Sequence, residues 1–398
     1  MLPLLRLDPM AQAPRGRTRE LLRVYQAVAE GRASSRRDLA QGLGLRSSTV
    51  SALVGELAES RFLLETASGA GGRGRPALSL LANAFRYGAV LIQAQSQAFR
   101  GQAVNLAGQT MRERTIAVPA DAGNAEIVAA LRSLRDELLP ALPPGCEPAG
   151  LALSLAGVLD TPARSWVFSS RWPRMKDLSL DAALGSDLPL VLGRNLDTEL
   201  AARIERAQHP DEAVLLLHWG YGIGASYASH GEIVNGARGR FCEVGHWRLG
   251  LGRGRPCRCG DSDCLETVAA LWALAPALAE RLGPLPVEEP AFARAARELD
   301  LLTHEPVERA LDEVVRVLAN LCRLLFPERI VVTGPFIANA ALWQRFVEGF
   351  GAMPRMRGLP VPVLVPGERS ADLEAQGALA PLMTRTFLAG LERLERQG

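Results

Sequence analysis

The residues best suited to chemistry lie in one stretch, CEVGHWRLGLGRGRPCRCGDSDCLE, residues 242–266. His246 precedes Cys257, Cys259 and Cys264, which form a C-x-C-x4-C arrangement. Three thiolates and one imidazole make a complete tetrahedral donor set, that of a structural Zn2+ site with no position left for water. Gly and Pro between the donors let the backbone fold around an ion. A dithiol redox motif would need C-x-x-C, which is absent; unligated surface thiols are the plainer alternative. Cys146, Cys242 and Cys322 are isolated and read as small buried hydrophobes. Six cysteines in 398 residues are too few for a disulfide scaffold.

A second group of chemically suggestive residues lies near the N-terminus. From Thr18 to Ala29, Leu21, Leu22, Tyr25 and Val28 recur at helical spacing, and Gly31 ends the segment. Ser34 or Ser35 can cap a second helix carrying Leu39 and Ala40, and GLGL supplies a turn. In RSSTVSALVGELAES, Val50, Leu53, Val54 and Leu57 make one apolar face, with Ser47 expected as N-cap. Helix, four-residue turn and helix match the bihelical unit that enters a DNA major groove. The exposed start of its second helix would present Arg46, Ser47, Ser48, Thr49 and Ser51, short hydroxyls and one cation that fit a groove without bulk. Arg36 opens the helix before it. RFLLET and PALSLL read as strands around SGAGGRGR, a hairpin whose tip carries Arg73 and Arg75 for phosphates or a narrow minor groove. A surface helix pair with a glycine linker is the bland alternative.

Charge supports the DNA reading. Residues 1–81 hold twelve Arg against seven acids, a net of +5, whereas the whole chain nets +2. A basic head on a slightly acidic body implies that only the head meets a polyanion such as double-stranded operator DNA. With 48% apolar and 22% charged residues the chain has ordinary globular composition, which excludes extensive disorder. No apolar run approaches the roughly 18 residues of a membrane span. MLPLLRLDPM is too short for a secretory leader, so the expectation is a cytoplasmic protein with no membrane partner.

The elements that must position these groups alternate. Residues 88–94, 99–106 and 109–117 read as a strand meander and 124–139 as a helix. LALSLAG and VLLLHW are strand-like with the helical DTELAARIER between them; 307–325 and 371–396 are long amphipathic helices, and RIVVTG is a buried strand. The pattern indicates an α/β body of two similar lobes.

Head and body together resemble the ROK family (repressor, open reading frame, kinase), in particular its winged-helix repressor branch. The residues that carry the resemblance are SRRDLAQGLGLRSSTVSALVGEL, GGRGRPALSL, and Glu243-Val-Gly-His246 with Cys257-Arg-Cys259-Gly and Cys264-Leu-Glu266. The resemblance implies a winged helix-turn-helix over residues 1–83 and an actin-like, ribonuclease-H-like duplicated body. Its first lobe would be 84–205, completed by the helix 371–396, and its second 206–370. It further implies a sugar cleft between lobes, with Asp197, Glu243 and Glu266 as carboxylates facing the sugar and His246 sharing its two nitrogens between zinc and a hydroxyl.

Two departures from the family pattern concern the sugar. Leu196 stands where the family has Asn, and Arg171 falls near another sugar-binding Asn, so the ligand would be an unusual sugar or an anionic derivative paired with Arg171. The phosphate side departs further. Gln93, Gln95 and Gln97 occupy the Asp, Gly and Thr positions of the kinases' first phosphate turn, and Gly220-Tyr221-Gly222 replaces Gly-Thr-Gly. Glutamine neither holds Mg2+ as a carboxylate does nor permits glycine's close backbone approach. The expected function is therefore a sugar-responsive transcriptional repressor with an inactive kinase-like body, acting as a homodimer or dimer of dimers. The alternatives are an ATP-dependent hexose or aminosugar kinase, and a constitutive DNA-binding protein with a vestigial sugar site.

Overall fold

The structure, a computed structural model, describes residues 4–5 and 16–397 except 68–77, 186, 208, 210, 253–254, 355, 359 and 369. The N-terminal part forms three helices, α1 (Arg17–Ala29), α2 (Arg36–Leu43) and α3 (Ser47–Glu59), then two strands, β1 (Leu63–Ala67) and β2 (Leu78–Ala82). The strands pair antiparallel, from Leu63 opposite Ala82 to Ala67 opposite Leu78. The expected tip residues Arg73 and Arg75 lie outside the described residues. Ser35 caps α2, its hydroxyl accepting from Asp38 N at 3.2 Å. The expectation for α3 needs correction: Arg46, extended at φ −67° and ψ 144°, holds the cap position, and Ser47 is already helical. The Ser47 hydroxyl is thereby left exposed on the helix's first turn.

The body opens with a meander, β3 (Tyr87–Gln95), β4 (Ala98–Asn105) and β5 (Thr110–Ala117), followed by α4 (Asn124–Leu138) and β6 (Glu147–Leu155). A small sheet of β7 (Val158–Asp160), β8 (Ser165–Phe168) and β9 (Leu178–Ser179) precedes α5 (Leu180–Leu184), β10 (Leu190–Arg194) and α6 (Asn195–Glu205). The first main sheet runs β10-β6-β3-β4-β5, with β6 and β10 parallel to β3 and the meander antiparallel.

The second half repeats this plan. β11 (Val214–Trp219), β12 (Ile223–Ser229) and β13 (Glu232–Ile233) form the meander; α7 (Glu266–Ala269), α8 (Leu271–Leu282), α9 (Glu289–Ala296) and α10 (Glu305–Leu325) follow. Then come β14 (Arg329–Thr333), α11 (Ala340–Ala352), β15 (Val363–Pro366) and α12 (Ala371–Gln397). The sheet order is β13-β12-β11-β14-β15, again three antiparallel strands and two parallel ones. Among the described residues no helix is long and apolar enough to cross a membrane.

The two terminal helices of the halves are exchanged. α6 buries Leu196, Leu200 and Ile204 against Val214, Leu216 and Ala228 of the second sheet. α12 packs on β3, β6 and β10 of the first sheet. Where they cross, a Cβ on Gly377 would stand 1.8 Å from the Thr198 carbonyl oxygen, so only glycine permits the approach.

α12 then continues into the N-terminal part. Phe387 lies 4.5 Å from the ring of Tyr25 and 5.1 Å from that of Phe62, in one apolar cluster with Leu21, Leu57, Tyr87, Met383 and Leu391. Glu395, near the end of α12, accepts from Arg17 N at 3.1 Å and from the Thr18 hydroxyl, so a carboxylate meets the positive end of α1. The Thr18 hydrogen bond holds that carboxylate below its ordinary pKa. Replacing Phe387 by Ala is expected to cost about 3–5 kcal/mol and to uncouple head from body. Every Trp lies beyond residue 165, so tryptophan fluorescence reports the body alone. In urea, far-UV circular dichroism should begin to fall before fluorescence in the variant; coincident, unshifted curves would disprove the coupling.

Candidate functional site

The donor cluster assembles as the spacing suggests. The nitrogen and sulfur donor atoms of His246, Cys257, Cys259 and Cys264 all lie within 4.8 Å of one another. Cys257 Sγ is 3.6 Å from His246 Nδ1, and Cys259 Sγ is 3.8 Å from Cys264 Sγ. Sulfur–zinc bonds of about 2.3 Å in a tetrahedron imply sulfur–sulfur distances of about 3.8 Å, so the spacing fits the ion. The loop is shaped by the Gly260 N to Cys257 O turn at 3.1 Å, with Gly260 at φ +97°. Burial pushes the Cys257 thiol up to about 11 and Cys264 further still. A divalent cation would offset that cost by favouring the thiolates. His246, Cys257, Cys259 and Cys264 would hold Zn2+, which would supply a fixed crosslink here and no open coordination position.

Arg258, carried between two of these donors, joins the two halves of the body. Its Nη1 donates to Ser170 O at 2.8 Å and to the Tyr221 hydroxyl at 2.9 Å, and its guanidinium stacks 4.5 Å from the ring centre of Trp272. Tyr221, on the β11–β12 turn, also has Arg171 over its ring at 5.3 Å and accepts from Gln97 Nε2 at 3.4 Å. Its backbone N–H donates to Glu289 Oε1 at 2.8 Å. The same oxygen takes Arg171 Nη2 at 3.5 Å and faces His218 Nε2 at 3.1 Å. Gln97 and Tyr221, expected at the two phosphate turns, are thus brought together. Gln93 is fully buried and donates to Ala371 O at 3.4 Å, beneath the start of α12.

The expected sugar carboxylates are each committed to a partner within the protein. Asp197 Oδ1 accepts from Arg194 Nη2 at 2.8 Å and from the Ser226 hydroxyl at 2.7 Å; Oδ2 accepts from Arg194 Nε at 3.3 Å. Glu243 Oε1 accepts from Arg194 Nη1 at 2.7 Å. Glu266 accepts from Ile223 N at 2.9 Å and Trp272 Nε1 at 3.2 Å, and burial raises its pKa against the lowering effect of nearby His246. Arg171, expected to face a ligand, is buried and paired with Glu289. Leu196 is buried in the α6 face that meets the second sheet.

Arg194 was not legible as a site residue, though its position three residues before Asp197 is the signal that could have found it. It is 3% exposed, and its guanidinium also donates to Ala225 O at 2.6 Å. Burial opposes its charge, and Asp197 and Glu243 more than offset that, holding it above the usual arginine range. Glu289 and Arg258 were missed because their partners are distant in sequence.

In the N-terminal part, Arg46, Ser47, Ser48 and Ser51 stand exposed on the first turns of α3, with Thr49 half-buried beside them. Arg36 is half-buried and paired with Glu65 of β1 at 2.8 Å, so its charge is partly spent inside the head.

Comparison with known proteins is consistent with this geometry. A profile described as the ROK family matches residues 92–380. A glucokinase of Halalkalibacterium halodurans is 32% identical over 139 residues, 30% of this chain and 41% of that protein. The DNA-binding transcriptional repressor Mlc of Escherichia coli is 23% identical over 196 residues, 46% of this chain and 48% of the relative. A putative xylose repressor of Caldicellulosiruptor is 25% identical over 260 residues, 64% of each chain. These matches therefore span less than two thirds of each relative. Among solved structures, a ROK family transcriptional regulator described as a homolog of the E. coli MLC protein superposes with a TM-score of 0.67 at 20% identity, covering 96% of this chain and 99% of that one. The ROK hexokinase from Thermus thermophilus gives 0.53 at 22% identity, covering 74% and 97%. At such identities the likeness shows the fold.

Two outcomes are expected from these contacts. Cys259→Ser should lower bound zinc, measured by elemental analysis of the purified protein; full retention would mean that another residue supplies the donor. Asp197→Asn leaves a buried guanidinium short of an anionic partner and should cost about 3 kcal/mol in urea unfolding. An unchanged midpoint would show that the pair contributes nothing.

Proposed function

The chain belongs to the ROK family, and on that premise we propose that it is a DNA-binding transcriptional regulator, most simply a repressor, whose kinase-like body has lost phosphoryl transfer. The observation that carries this reading is the head. Three helices followed by an antiparallel strand pair support a winged helix-turn-helix, and α3 presents one arginine and a row of hydroxyls where such a motif would meet base edges. Two such heads in a homodimer would meet a pseudo-palindromic operator.

Loss of kinase activity is supported by the chemistry of the cleft. Phosphoryl transfer needs a metal-holding carboxylate and backbone N–H groups close to the phosphates. Here glutamines stand at the first turn, and the second is occupied by the Tyr221 ring, clamped by Arg171 and Arg258. The zinc site would act as a scaffold that holds Arg258 in place.

Regulation by a ligand requires that the lobes have two arrangements and that the ligand favour one of them. The exchange of α6 and α12 supplies a path, because α12 joins the crossing point at Gly377 to the head at Phe387. A sugar effector in the cleft would act through that helix. The second reading, a regulator that binds DNA without an effector, is favoured by the commitment of Asp197 and Glu243 to Arg194.

Footprinting of the purified protein on its own upstream region, repeated across a panel of sugars and sugar phosphates at fixed salt, tests the proposal. A protected, pseudo-palindromic site is expected, with Arg46→Ala weakening it and flattening its salt dependence by about one unit if one phosphate contact is lost. Absence of any protection, with release of ADP from ATP and a hexose, would return the protein to the kinases.

A further inference from the structure

We propose that Arg194 closes the interlobe cleft to neutral sugars by occupying, as a built-in ligand, the carboxylates that a sugar would use. The inference deepens the reading above, resting on Asp197 and Glu243 being the hydroxyl acceptors of the cleft.

The position of Arg194 follows from its element. It is the last residue of β10, extended at φ −73° and ψ 134°, and stands at the N-cap of α6, which places its side chain over the helix's first turn, where Asp197 projects. From there the guanidinium reaches Asp197 on its own helix and, in the second half of the body, Glu243 and the Ala225 carbonyl. With 3% of the residue exposed, the bonds are made out of water. A guanidinium is the side chain best matched to this task, since its planar fork serves several acceptors at once without losing its charge.

Hydroxyls compete poorly with such an occupant. A hydrogen bond from a neutral hydroxyl to a carboxylate lacks the second charge that a guanidinium brings. A sugar that displaced Arg194 would also leave a buried cation without its anions, the costlier half of breaking such a pair. Without the side chain, the space would be lined by Asp197, Glu243, the Ser226 hydroxyl and the Ala225 carbonyl, a set of acceptors suited to a ligand rich in hydroxyl donors. Arg194 is thus a specificity-determining residue that closes the wild-type site to neutral sugars.

The test compares full-length wild-type protein with Arg194→Ala by thermal shift, using neutral aldoses, N-acetylhexosamines and methylguanidinium as probes. The wild type should respond to no neutral sugar. The variant should melt lower, regain stability with methylguanidinium, and bind at least one neutral sugar about tenfold or more tightly than wild type, in competition with methylguanidinium. A variant rescued by methylguanidinium but by no sugar would overturn the proposal, leaving Arg194 a structural ion pair. So would a wild type stabilised by a neutral sugar whose effect vanishes in Asp197→Asn. If the variant folds only with methylguanidinium, it is prepared in that salt and exchanged into sugar. Retained near-UV circular dichroism then supports the proposal, and collapse overturns it. Footprinting of the wild type tests the regulator reading separately, because loss of DNA binding would leave every sugar outcome unchanged.

Discussion

The structure depends most on the packing of α12. One face of this helix crosses α6 at Gly377, its middle covers the first sheet, and its far end carries Phe387 into the three-helix head. The apolar cluster around Phe387 contains residues of the head, of β3 and of α12, so no boundary of polar side chains separates head from body there. Glu395 adds an anion at the start of α1. A head on a loose tether could bind DNA regardless of the body, whereas a head sharing a core with α12 inherits the body's arrangement. Any difference in how the lobes sit is therefore transmitted through packed side chains.

The two halves of the body are fastened to one another by cations from within the chain. Arg194 of β10 reaches Glu243 and the Ala225 carbonyl of β12, and Arg258 with Arg171 joins Ser170 to Tyr221. These bridges are made by side chains of the chain itself. The donor cluster belongs to the same device, because Arg258 is carried between Cys257 and Cys259 and its placement depends on how that loop is held. Burial is what makes these contacts matter, since an exposed ion pair contributes little while a buried one cannot lose a partner cheaply.

Much of the fold was legible because it rests on local pattern. The period-two and helical repeats of apolar residues mark β3–β5, α4, α6, α10 and α12 within a few residues, and Ser35 caps α2 as its type suggests. The cap of α3 was misplaced by one residue because serine at its first helical position and serine at its cap look alike in sequence; the extended backbone of Arg46 distinguishes them. The resemblance implied that the helix 371–396 completes the first lobe, but the packing of α6 on the second sheet could not be read, since an amphipathic helix shows that it has a partner and not which one.

The same division holds for the site. The sequence by itself determined the donor set, because His246, Cys257, Cys259 and Cys264 lie close enough along the chain for a short loop to bring them together. The resemblance carried by those motifs also implied that glutamines stand at the positions of the kinases' first phosphate turn. Only the tertiary structure decided that Asp197 and Glu243 face a guanidinium, that Tyr221 lies between two arginines, and that Arg171 meets Glu289. Those pairings join segments 37 to 118 residues apart, apart from the local Arg194–Asp197 pair. Their strength comes from exclusion of water, a property of the packed lobes and of no single stretch of chain.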